Sequence, residues 1–112
     1  MKTRFLGALL AIFLSGCGSD VGITGKSIGG ACASNGDCDP QSRCLIGGEF
    51  PQGMCVVNCA RADDCGDEAA CIKKEGGVCL PRCTLPADCR GGYECKGKEN
   101  QAGGGEALVC IK

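Results

Sequence analysis

Twelve of the thirteen cysteines in this 112-residue chain fall into three blocks that share one spacing. The first is Cys32-x5-Cys38-x5-Cys44-x10-Cys55. The second is Cys59-x5-Cys65-x5-Cys71-x7-Cys79 and the third Cys83-x5-Cys89-x5-Cys95-x14-Cys110. Three residues separate each block from the next, and only the last gap inside a block varies. Such repetition marks one structural unit used three times, over 32–55, 59–79 and 83–110. An even set of cysteines in so short a chain reads as a disulfide framework of an oxidising compartment. Each unit admits three internal pairings. First-to-third with second-to-fourth is favoured, because the third and fourth cysteines would lie on adjacent strands and each reach back to the loop before them. Links between units remain the rival.

Apolar residues flank the fourth cysteine of every unit. Met54, Val78 and Val109 precede it, and Val56, Leu80 and Ile111 follow it. This predicts a short strand there, with its partner starting at the third cysteine and the variable gap as the hairpin loop. The third loop, 97–106, contains Gly103-Gly104-Gly105 and is expected to be mobile. The C-x5-C-x5-C segments carry Asn35-Gly36, Asp39-Pro40 and Gly91-Gly92 and read as turns. Asp37, Asp64 and Asp88, each just before the second cysteine, are expected to cap them through side-chain oxygens. The fold class is therefore small and disulfide-rich, with three repeats of short β-hairpins and turns. Beyond the first sixteen residues the only aromatics are Phe50 and Tyr93, so no substantial apolar core is expected. Disulfides, at about 2–4 kcal/mol each, would stand in for it.

Residues 1–16 have the three parts of an export signal: Lys2 and Arg4, the apolar run 5–14, and small residues Ser15 and Gly16. The apolar run, expected to be helical, is too short to cross a bilayer. It ends in Leu14-Ser15-Gly16-Cys17. That tetrapeptide resembles the lipobox of bacterial lipoproteins. The resemblance implies cleavage before Cys17, acylation (palmitate among the acyl chains) of that cysteine, and a membrane-bound product. Gly18 in place of Asp then implies the outer membrane over the inner. Residues 17–31 are glycine- and serine-rich and read as a flexible tether carrying the cysteine-rich domain 32–112.

The spacing over Cys32, Cys38, Cys44, Cys55 and Cys59 resembles the N-terminal cysteine-rich region of Dickkopf proteins. It is also similar to uncharacterised cysteine-rich bacterial lipoproteins with repeats behind a lipobox. The chain lacks the adjacent Cys-Cys pair of Dickkopf proteins, and its units repeat evenly. The resemblance therefore implies the disulfide-held fold style and no signalling role.

Chemistry is sparse. With no His and no C-x2-C pair, neither a zinc site nor a nucleophile–base arrangement is expected, and the chain reads as neither an enzyme nor a cofactor protein. Acidic turns at Asp37 and Asp39 and at Asp63 and Asp64 offer oxygen ligands for calcium, but capping and solubility explain them more simply. Without Lys2 and Arg4, ten basic side chains face thirteen acidic ones, a net of −3, which argues against nucleic acid. The expected role is a secreted, lipid-anchored binding module with a protein or glycan partner. Leu45, Ile46 and Phe50 are its candidate partner-binding loop, with Phe50 reading equally as a scrap of core folded back over a disulfide. A structural or protective envelope protein is the alternative, as is a small protease inhibitor using Lys73-Lys74.

Overall fold

The computed structural model describes residues 20–112. The expected signal segment and Cys17 lie outside the described residues. Each unit has the same order of elements. A one-turn 3-10 helix stands between the first and second cysteines: Asn35–Asp37, Ala62–Asp64 and Pro86–Asp88. An antiparallel hairpin then carries the third and fourth. β1 (Arg43–Gly47) pairs with β2 (Phe50–Val56), β3 (Ala69–Ile72) with β4 (Val78–Pro81), and β5 (Glu94–Glu99) with β6 (Glu106–Ile111). Among the described residues there is no α-helix.

In every hairpin the third and fourth cysteines stand directly opposite each other: Cys44 and Cys55, Cys71 and Cys79, Cys95 and Cys110. They do not bond to each other. Each turns back to the preceding turn, giving Cys32–Cys44 with Cys38–Cys55, Cys59–Cys71 with Cys65–Cys79, and Cys83–Cys95 with Cys89–Cys110. The Cα–Cα distances, 5.5 to 5.9 Å, fit unforced bridges. This is the interleaved pattern favoured from the sequence, and no bond crosses between units.

Side chains alternate across a strand, so the residues on either side of the fourth cysteine face away from it. Those residues are Met54 and Val56, Val78 and Leu80, Val109 and Ile111, and none is more than 2% exposed. The three apolar faces meet in one core with Leu45, Phe50, Ala70, Ile72 and Tyr93. The expectation of no substantial core is thus corrected. No unit encloses a core alone, but three aliphatic pairs share one, each buried side chain contributing about 1.5–3 kcal/mol.

The constant three-residue gap between units has a structural cause. After β2 the chain runs along the free edge of β4: the Cys79 N–H donates to the Val57 carbonyl (2.9 Å) and the Cys59 N–H to the Gly77 carbonyl (3.0 Å). After β4 it does the same along β6, with Arg82 bridging Val109 and the Cys83 N–H donating to the Leu108 carbonyl. Each unit therefore covers the exposed strand edge of the next, an edge that otherwise invites aggregation.

The first unit has no predecessor, and the segment expected to be a loose tether takes that place. The Gly29 N–H donates to the Cys55 carbonyl (2.8 Å), the Cys55 N–H to the Gly30 carbonyl (2.9 Å) and the Cys32 N–H to the Gln52 carbonyl (3.2 Å). Ile28, four residues before Cys32 as Cys55 is before Cys59, is buried at 4% exposure. Residues 20–31 are thus a folded cap on the repeat array. Its glycines serve closeness, not slack. A Cβ at Gly29 would lie 2.3 Å from the Gly22 carbonyl oxygen, and one at Gly25 equally close to that of Asp20.

Unit three closes back on unit one. The Arg90 guanidinium stacks 4.7 Å over the Tyr93 ring, donates through Nε to the Gly29 carbonyl (3.1 Å), and reaches the Gly53 carbonyl and the Tyr93 hydroxyl through Nη2. Tyr93 in turn donates to the Pro51 carbonyl (3.0 Å). The Lys112 N–H donates to the Glu49 carbonyl in the first hairpin turn (3.1 Å). The third loop also departs from expectation. β5 and β6 pair continuously from Glu94 and Ile111 to Glu99 and Glu106, so the ladder takes in Gly97 to Glu99 and Glu106 and shortens the presumed loop to 100–105. Asn100 bridges Ile72, and the Gln101 N–H donates to the Cys71 carbonyl, which covers the edge of β3.

Candidate functional site

The candidate loop does not present its three residues together. Leu45 pairs with Met54 and Gly47 with Phe50, with an irregularity between the two pairs. Strand alternation then turns Leu45 (6% exposed) and Phe50 (4%) into the core and leaves Ile46 (68%) outside. The expected binding surface reduces to Ile46. Phe50 is core because it joins Leu45 of the facing strand and Met54 of its own strand in one buried cluster.

The dibasic pair is engaged as well. Lys74 forms an ion pair with Glu49 of the first hairpin turn, and Lys73 lies 3.9 Å from Glu99. The Lys73 N–H also donates to the Glu99 carbonyl (2.8 Å), fixing the backbone there. An extended, freely presented inhibitor loop is not the geometry of this turn.

The three repeated aspartates do what their position predicts. Asp37 Oδ2 accepts from the Ala33 and Ser34 N–H groups (2.8 and 3.2 Å). Asp64 Oδ2 accepts from Ala60 and Arg61 (2.8 and 3.2 Å). Asp88 Oδ2 accepts from Thr84 and Leu85 (2.9 and 3.0 Å) and from the Thr84 hydroxyl (3.1 Å). Each reaches back over its own 3-10 turn to accept from the N-cap amide and the one before it. These backbone bonds favour the charged form and hold all three carboxyls below the usual aspartate value. Asp39 instead accepts from the Ser27 hydroxyl (3.1 Å), tying the N-terminal cap to the first unit. Of the carboxylates offered for calcium, Asp37, Asp39 and Asp64 each give one oxygen to the chain's own donors, and Asp63 stands exposed on its turn.

Lowered folded pKa values mean that the caps contribute fully above the unfolded aspartate value of about 3.9. The contribution is lost as pH falls through the lower folded values. A carboxyl-detected NMR titration is expected to give three aspartate midpoints below that value, with the Ala33, Ala60 and Thr84 amide shifts moving together with them. Midpoints at the ordinary value for these three would refute the caps.

The sulfurs of Cys32, Cys38 and Cys55 lie within 4.8 Å of one another, as do those of Cys59, Cys65 and Cys71 and of Cys83, Cys89 and Cys110. Stacking of the two bridges in each unit brings them together. All are spent in S–S bonds, which leaves no thiolate for a metal in the oxidised protein.

An open groove of about 480 Å³ lies on the third unit beside the junction residue Arg82, lined by Arg82, Thr84, Asp88, Glu106, Ala107 and Leu108. Leu108 (48% exposed) borders it, and Leu85 (60%) adjoins Thr84. Sequence reading missed Arg82 because its place beside the groove depends on its long-range bridge to Val109. It missed Tyr93 as well, although Ser42, Ala69 and Tyr93 each stand two residues before a third cysteine and all three are buried. That repeated inward slot was the available signal. No family model, curated protein or solved structure matches this chain.

Proposed function

We propose that the chain is an exported, lipid-anchored, non-catalytic binding module of the bacterial cell envelope, held at the outer membrane through Cys17. The observation that carries the reading is rigidity. Six bridges, one shared core and a folded cap tie the three hairpins and their turns to one another. A surface ordered before binding loses little conformational entropy when a partner docks. Ile46 and the groove around Arg82 and Leu108 are the surfaces such a partner would use. The lipobox after an apolar run supports the anchor, and the disulfide density supports an oxidising compartment.

Two measurements test the proposal in sequence. Intact mass of membrane-extracted protein, alkylated without reduction, is expected to show acyl chains, loss of residues 1–16 and no alkylated thiol. A retained signal segment or several free thiols would overturn the location. In-cell crosslinking is then expected to capture an envelope protein or glycan in saturable fashion, with capture lost after reduction of the protein. Capture that never saturates, or that survives reduction, would favour the structural envelope role.

A further inference from the structure

The folded cap changes the geometry of the anchor. Asp20 is held in place through its carbonyl, which accepts from the Ser27 and Ile28 N–H groups (3.1 Å each). Val21 bridges Ile28, and Gly29 and Gly30 are bonded to Cys55. In the sequence only Gly18 and Ser19 separate Asp20 from Cys17. Three Cα–Cα steps of 3.8 Å span at most about 11 Å. A free tether of residues 18–31 would have a mean reach of about 20 Å and could extend to roughly 50 Å. The polar layer outside the hydrocarbon core is about 5–8 Å deep on each side. A leash of about 11 Å crosses that layer with little to spare.

We infer that the loop of residues 20–26 is seated against the lipid headgroup layer, with Ile23 as its apolar contact. This rests on acylation of Cys17. Ile23 is 50% exposed on that loop, and Thr24 and Lys26 beside it are exposed as well. An aliphatic side chain at the headgroup–acyl boundary gains what it lacks in water, removal of apolar surface from solvent. Charge does not set the seat. Asp20 and Lys26 balance within the loop, and the exported part carries a net of −3, which gives no pull toward an anionic surface. The short leash sets it, by holding the loop at the surface at a high local concentration.

The chain has no tryptophan, so one introduced indole reports alone. Ile23→Trp, in the full lipidated protein, is placed in phosphatidylethanolamine–phosphatidylglycerol vesicles brominated near the carbonyl end of the acyl chains. The indole is expected to lose most of its emission to bromine. A long Gly/Ser insertion between Ser19 and Asp20 is expected to restore most of it. Equal emission from the two proteins, quenched or not, overturns the seat while leaving the anchor intact. An indole already shielded in the unlipidated Cys17→Ser protein means that a second copy covers this loop, and also overturns it. An unmodified Cys17 by intact mass removes the anchor reading and this inference together.

Discussion

Replacing Phe50 with alanine is expected to lower the free energy of unfolding by about 3–5 kcal/mol. The ring is 4% exposed and packs with Leu45, Met54 and Val56 in the core that all three units share. Truncation removes its transfer energy and leaves a cavity between units that bridges prevent from collapsing. Guanidinium denaturation without reductant measures the loss, and a change below about 1 kcal/mol would place the ring outside the core. Ile46→Ala, two-thirds exposed a few residues earlier, is expected to stay within about 0.5 kcal/mol of the parent. The contrast matters for function. Loss of binding in Phe50→Ala would report damaged packing, whereas loss in Ile46→Ala would report a contact.

Replacing Cys65 and Cys79 together with alanine is expected to cost about 3 kcal/mol in stability, within a usual range of 2–5. The bond closes a 14-residue separation, and Cys79 is fully buried in the central hairpin. Every residue of β3 and β4 is buried, since the other two units and the chain running from β2 pack around them. Loosening this hairpin therefore loosens the edges that cover β4 and β6 in turn. The outer bond Cys83–Cys95 ties down β5, whose residues alternate between exposed and half-exposed. Its removal is expected to leave the other two units folded. Thermal unfolding of both double variants under non-reducing conditions compares them; equal losses with one cooperative transition would show that the centre has no special weight.

The bonding pattern was legible because it depends on local register alone. Once a hairpin sets Cys44 opposite Cys55, both side chains share a face, and the preceding turn supplies their partners. The aspartate caps were legible for the same reason, being contacts over three or four residues. Phe50 was not legible. A phenylalanine beside Pro51 in a glycine-rich loop reads equally as an exposed anchor and as a scrap of core over a disulfide, and the irregular pairing at Leu45 and Gly47 that turns it inward decides between them. The segment 20–31 was misread because glycine means two different things. It gives slack in a solvated linker, whereas here it lets carbonyls approach to within a distance that a side chain would block. The groove at Arg82 and the bond from Tyr93 to Pro51 join residues 20 or more positions apart, and no short spacing encodes them.

Interleaved bridges also bear on how the protein must be made. An oxidant that joined thiols in their order along the chain would form Cys32–Cys38, Cys59–Cys65 and Cys83–Cys89 first in their units. None of these is native. Reaching the final set takes attack by a third or fourth thiolate on the wrong bond, once in each unit. The correction is a short-range one, because native bonds span only 12 to 21 residues and never leave their unit. Pairing in chain order therefore demands one thiol–disulfide exchange beside the oxidation in each unit, and each exchange is complete within its own unit.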